Sequence, residues 1–217
     1  MKINLSLYSN EQYYPGKTFK IILWMIISYF IFETKIPYPS KIKRSILKIF
    51  GASVGTGVVI KPNVKIKYPW YLNIGSYSWI GEHVWIDNLV TVNIGSSCCI
   101  SQGAMLLTGN HDFKTQTFDL ITGEIKLEDG VWVGAKSIIC PNTILEKNCV
   151  LCVASVAIGF LHSDSIYQGN PATIKRKRFW KDIYNENSIN YGHYWPRWIL
   201  SRRISIRKRL WSSWFNS

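Results

Sequence analysis

The sequence predicts a parallel β-helix, a solenoid of short strands, on three observations. An aliphatic residue recurs every six positions within Val54, Ile60, Ile66, then Ile74, Ile80, Ile86, then Ile94, Ile100, Leu106, and again from Leu127 through Val133, Ile139 and Leu145 to Leu151. Four residues after twelve of these fourteen positions stands a small or β-branched side chain: Val58, Val64, Ser78, Val84, Val90, Cys98, Ala104, Val131, Ser137, Thr143, Cys149 and Ser155, with Trp70 an exception. Glycine follows the aliphatic directly at Gly55, Gly75, Gly81, Gly95 and Gly134. On an α-helix a six-residue step turns through about 600°, so such a set would wander around the axis. Stacked parallel strands instead send one large and one small side chain per rung into a narrow interior, and turn where close packing is tolerated.

The 217 residues, 47% of them hydrophobic, suffice for one domain with tails, and the charge divides the chain the same way. Residues 1–50 carry 8 Lys/Arg against 2 Asp/Glu, 51–174 carry 7 against 9, and 175–217 carry 11 against 2. The net charge of +13 therefore flanks a near-neutral body and is mixed with Trp and Phe, which argues against nucleic acid and for a membrane surface or a phosphate-bearing small molecule. Five cysteines, two of them adjacent at Cys98 and Cys99, do not suggest a disulfide framework, so a reducing, cytoplasmic setting is expected. No secretory signal is read in the sequence.

In chain order, residues 1–50 form a helical lead-in. The apolar run Ile21 to Phe32 has 12 residues, fewer than the roughly 20 of a spanning helix, and must be buried in an assembly or lie in a membrane interface. Ser40 to Phe50 reads as an amphipathic helix with Ile42, Ile46, Ile49 and Phe50 on one side and Lys41, Arg44 and Lys48 around the other, capping the open edge of the first coil. The solenoid occupies 51–174. Its first triplets repeat every 20 residues because each third step is eight long, and the two extra residues are expected to leave at Leu72-Asn73 and Val92-Asn93. Between Leu106 and Leu127 the step is 21 residues, so a loop spanning 107–126 is expelled, and it contains Thr108-Gly109-Asn110-His111-Asp112-Phe113. Residues 175–217 form a basic extension. In it Trp195, Trp198, Trp211 and Trp214 are interleaved with Arg197, Arg202, Arg203 and Arg207, which suits an interfacial segment on anionic lipid or packing on a neighbouring subunit.

The hexads together with IKPNVKIKYPWYLNIGSYSWIGEHVWIDNL, CISQGAMLLTGNHDF, GVWVGAKSIICPNTIL and YQGNPATIKRKR resemble the left-handed parallel β-helix acyltransferases, and among them the colanic acid biosynthesis acetyltransferase group. The resemblance covers residues 41–178. It implies a homotrimer in which acetyl-CoA and a carbohydrate acceptor meet in a groove between neighbouring solenoids. It also implies transfer to a sugar hydroxyl in exopolysaccharide, capsule or O-antigen assembly. The rival reading is a β-helix that serves as a scaffold without catalysis.

A sugar hydroxyl becomes an adequate nucleophile when a base takes its proton, and imidazole suits that task near neutral pH. By the resemblance His111 is that base, attack is direct, and Asp112 or a nearby carbonyl fixes the other ring nitrogen. Asn110 lies in the same loop. Asp87 and Asn88 stand one coil earlier and are candidates for acceptor binding or for a plain corner, while Trp132 is a candidate for contact with donor or acceptor or for packing between subunits. The donor is expected along Gly134, Ala135, Ala154 and Ser155, with Arg176 and Lys177 toward the 3′-phosphate. The Cys149-x-x-Cys152 pair falls on repeat positions and reads as packing. Four scattered histidines lack the spacing of a metal site, so no metal is expected.

Overall fold

The computed structural model of the chain describes residues 2–180. The basic aromatic extension from residue 181 onward lies outside the described residues. Three parallel sheets wrap one interior, as the six-residue period requires. Face A stacks Ser53–Val54, Leu72–Ile74, Val92–Ile94, Ile125–Leu127, Thr143–Leu145 and Phe160–Leu161. Face B stacks Val59–Ile60, Trp79–Ile80, Cys99–Ile100, Trp132–Val133, Val150–Leu151 and Ser165–Gly169, and ends with Ala172–Lys177 added antiparallel. Face C stacks Lys65–Ile66, Trp85–Asp87, Met105–Leu107, Ile138–Ile139 and Val156–Ala157. All fourteen hexad aliphatics are buried, and Ala157, Leu161 and Tyr167 continue the interior beyond them.

The corners explain the spacing. Three residues after the inward aliphatic the chain takes a positive φ, as at Asn63, Tyr77, His83, Ser97, Lys136 and Asn148. His83 is thus an exposed corner residue whose backbone turns the rung. The glycines after the aliphatic let coils touch: a Cβ on Gly75 would lie 2.4 Å from the Gly95 carbonyl carbon and the Ser96 nitrogen.

The eight-residue steps are accommodated elsewhere than the sequence suggests. Leu72 and Val92 are buried, and Leu72–Ile74 pairs in register with Val92–Ile94. The two extra residues sit in the preceding corners, a 3-10 turn at Pro69–Tyr71 and the stretch 88–91. Two extra residues inside a strand would have no partners in the coils above and below, whereas a corner has no ladder to disturb. Trp70 and Val90 consequently occupy corners and not the small inward slot.

The first coil is capped by a helix as expected, with Ile46 and Phe50 packed on the core, but the rest of the buried side differs. The helix α1 covers Thr18–Ile27, continues as a wider turn over Ser28–Phe32, and is followed by α2, Ser40–Ile49. In α2 the buried side chains are Lys43 and Leu47, whereas Ile42 is 46% and Ile49 80% exposed. The reason lies in the unpaired strand edge beneath it. Lys43 Nζ donates to the Lys61 carbonyl at 2.9 Å, Arg44 Nη1 to the Val58 carbonyl at 2.9 Å, and Ser40 Oγ accepts from the Ile60 amide at 3.0 Å. Backbone groups without partners cost more than an exposed isoleucine, so the helix turns its donors inward. Burial pushes the Lys43 ammonium below its ordinary pKa. The neighbouring edge, on face C, is closed by the Val64 amide on the Phe32 carbonyl and by the Trp24 indole N–H on the Ile66 carbonyl at 2.8 Å.

Outward rows differ between faces. Face A presents Ser53, Asn73, Asn93 and Lys126, with Asn73 Nδ2 donating to Asn93 Oδ1 at 2.7 Å. Face B presents Val59, Trp79, Cys99 and Trp132, and face C Lys65, Trp85, Met105 and Ile138. Of α1 only Trp24 is buried; Phe19, Ile22, Leu23, Met25 and Ile26 are exposed. Among the described residues no helix is long and apolar enough to cross a membrane.

Candidate active site

The expelled loop is built around a two-stranded hairpin, Gly109–His111 paired with Leu120–Thr122. Its base is pinned by buried Thr108, whose hydroxyl accepts from the Leu89 amide at 2.8 Å and donates to the Asp87 carbonyl at 2.9 Å. Gly109 then passes so close to Leu89 that a Cβ would lie 2.5 Å from Leu89 Cδ1. The hairpin therefore leaves face C directly beside the Asp87 corner.

His111 is half-buried at the end of the first hairpin strand. Its Nδ1 is 2.9 Å from the Phe118 carbonyl oxygen. A carbonyl only accepts, so Nδ1 carries the hydrogen and Nε2 keeps a lone pair. The Phe118 ring stacks on the imidazole at 4.4 Å and 5°, and Tyr8 meets it edge-on at 5.6 Å. Of the two partners open from the sequence, the carbonyl holds the ring. Asp112 is engaged otherwise: its Oδ1 caps the Lys114 amide at 2.9 Å, and its own amide bonds the Asp119 carbonyl.

The imidazole borders a cavity of about 480 Å³ lined also by Tyr8, Asn10, Tyr13, Lys67, Tyr68, Asp87 and Asn110. Asn110 is exposed there, with Oδ1 accepting from the His111 amide at 2.8 Å. Asp87 reaches the cavity with Oδ1 3.1 Å from Lys67 Nζ. Asn88 does not reach it: fully buried, it bonds the Lys67 and Tyr68 amides through Oδ1 and the Tyr68 carbonyl through Nδ2. Trp132 stands on the outward row of face B, half-exposed, with its indole N–H on Ser101 Oγ at 3.0 Å.

One wall of this cavity is the N-terminal arm. The Tyr13 hydroxyl donates to the Leu89 carbonyl at 2.6 Å, the Trp70 indole to the Pro15 carbonyl at 2.8 Å, and the Asn4 amide to the Gln116 carbonyl in the hairpin loop at 2.9 Å. Burial pushes the Tyr13 phenol well above its ordinary pKa. Tyr8, Asn10 and Tyr13 escape a reading of the sequence because the arm has neither repeat nor motif. The cluster Tyr13-Tyr14-Pro15-Gly16 is its one compositional signal.

On the donor side, Ala135 and Ala154 share a corner, joined by the Ala154 amide on the Ala135 carbonyl at 2.9 Å, with Val153 exposed beside them. Gly134 is buried between coils, and a Cβ there would lie 2.5 Å from the Val153 nitrogen. Ser155 points inward, 1% exposed, and its hydroxyl accepts from the Gly169 amide. Arg176 and Lys177 are exposed on the last strand of face B, Arg176 in register with Ile166 and thus aligned with Val150 and Trp132. Of the residues expected to line the donor, Ala135, Ala154, Arg176 and Lys177 reach the surface, whereas Gly134 is buried between coils and Ser155 faces the interior. The cysteines offer no competing nucleophile in the cavity, and burial pushes Cys98 up to about 11 and Cys149 up to about 12. Among the described residues no group of three His, Cys, Asp or Glu side chains is placed to hold a metal ion.

A parallel solenoid of hexads that expels one hairpin places the chain in the hexapeptide-repeat class of β-helix proteins. No protein-family model matches the chain. It is 32% identical over 163 residues, 75% of this chain and 90% of the relative, to the Escherichia coli protein named "Putative colanic acid biosynthesis acetyltransferase WcaF". The fold superposes with a TM-score of 0.67 on a hexapeptide-repeat acetyltransferase of Vibrio cholerae solved with acetyl coenzyme A, at 18% identity over 75% of this chain and 88% of that one. A galactoside acetyltransferase solved with coenzyme A gives 0.66 at 19% identity, covering 74% and 81%. The chain belongs to the acetyltransferase family of that Escherichia coli relative.

Proposed function

We propose that this protein transfers an acetyl group from acetyl-CoA to a sugar hydroxyl in the assembly of an exopolysaccharide, capsule or O-antigen, with His111 as general base. The observation that carries this reading is the Phe118 carbonyl on Nδ1, which leaves Nε2 as the acceptor of a residue that lines a polar cavity. Bound acetyl-CoA supplies an activated acyl thioester. Nε2 takes the proton of the acceptor hydroxyl as its oxygen attacks, the Phe118 carbonyl steadies the imidazolium, and the same proton returns to the departing sulfur. Asp87 and Asn110 line the cavity where acceptor hydroxyls need partners. The relatives' names supply the carbohydrate setting. Purified protein should release CoA with a sugar acceptor, and His111→Ala should lower kcat by about 10²- to 10⁴-fold; full turnover by that variant would refute the role of the base.

The same proposal includes a homotrimer and peripheral attachment, on the cytoplasmic side, to an anionic membrane surface. The apolar outward row of face B, with exposed Trp79 and Trp132, supports the first. The exposed apolar side of α1, flanked by Lys17 and Lys35, supports the second. Sedimentation velocity tests the trimer. Co-sedimentation with phosphatidylglycerol vesicles, compared with phosphatidylcholine, tests attachment, and equal binding to neither would refute it.

A further inference from the structure

A second cavity adjoins the first. It is a groove of about 640 Å³ between α1 and face C, walled by Ile21, Met25, Ile26, Tyr29, Phe30 and Trp85, with few polar groups along its length. Lys67, Tyr68 and Asp87 line both cavities. The Lys67–Asp87 ion pair therefore marks a boundary: on one side lies the polar chamber of His111, on the other an apolar trough.

We propose that the acceptor is amphiphilic, with its sugar in the chamber beside His111 and a hydrocarbon chain laid along the groove under α1. The inference rests on the sugar acetyltransferase reading above and names the kind of acceptor. Continuity selects the occupant. A molecule whose reacting end sits at His111 and extends past Lys67 and Asp87 leaves the polar chamber into a trough whose further polar groups, Ser28, Glu33 and Lys65, are paired with one another, and whose apolar walls remove hydrocarbon from water. The other side of α1 presents Phe19, Ile22 and Leu23 to solvent, so the helix that walls the groove is the one proposed to rest on lipid, and a chain anchored in lipid need not leave an apolar surface to enter.

The test uses methyl, butyl and octyl hexosides, first as ligands in calorimetric titrations and then as acceptors. Binding needs no turnover, so it separates this inference from the catalytic reading. Octyl hexosides should bind at least about tenfold more tightly than methyl hexosides, the gain expected from burying only two methylenes. Met25→Glu, on the exposed rim of the groove, should erase that difference while leaving methyl hexoside binding unchanged, and Ile26→Gln should reduce it. Affinity independent of chain length would overturn the proposal, as would a chain-length effect unaffected by both variants. A changed sedimentation mass in Met25→Glu would also overturn it, because the groove would then be a seam between subunits. Loss of acetyl transfer in His111→Ala, by contrast, bears on the catalytic reading alone.

Discussion

At the residue scale, the proposed chemistry turns on which ring nitrogen of His111 is free, and that was only half legible. The Gly-Asn-His-Asp run singles out the imidazole, but its partner is a main-chain oxygen seven residues away, brought close by the hairpin, and no side-chain pattern announces a carbonyl. The neighbouring carboxylate Asp112, the obvious partner in sequence, is drawn into its own turn. Asn88 shows the opposite failure: its position suggested a ligand contact, yet its amide satisfies three backbone groups of the preceding corner. Thr108→Val removes the hydroxyl's bonds to the Leu89 amide and the Asp87 carbonyl, leaving that amide only its longer bond to the Asp87 carbonyl, and should cost about 1 kcal/mol, read as a lowered Tm with parallel loss of turnover as the hairpin base loosens. Thiol chemistry gives an independent check. With Cys98 and Cys149 raised to about 11 and about 12, their thiolates are absent at pH 8, and iodoacetamide followed by mass spectrometry should mark the partly exposed Cys99 and Cys152 and spare both.

At the scale of elements, the rungs were legible because a period of six has one economical solution, while their ends were not. Hydrophobicity alone assigns α2 an isoleucine face, but the edge beneath it consists of unpaired amides and carbonyls, and Lys43 answers that need at the cost of burying an amine. Lys43→Met keeps the stem and removes the donor, so it should lower stability by about 1–3 kcal/mol, measurable by urea denaturation. Gly75→Ala sets a methyl group against backbone of the next coil at 2.4 Å, where nothing flexible can yield, and should lower Tm more than the same change at Gly159, whose Cβ would meet no atom within 4 Å.

For the whole molecule, the outward row of face B carries the exposed Trp79 and Trp132 while the first coils of face A carry an asparagine row, so a ring that buries B would leave that row in water. Trp79→Glu should therefore lower the sedimenting mass, whereas Asn93→Glu should not. Charge by region was readable from composition, but the apposition of a polar chamber and an apolar trough was not, since it joins the arm, α1 and two coils far apart in sequence. The stacking itself has a metric consequence. From Cys99, in the coil that sends out the hairpin, the row runs through Trp132, Val150 and Ile166 to Arg176 in four ladder steps. At about 4.8 Å a step that is ~19 Å. The solenoid works as a ruler whose graduations are coils: excising one whole coil between Trp132 and Ile166 would shorten the reach from imidazole to cation by a single graduation and leave distances within the coils on either side in place.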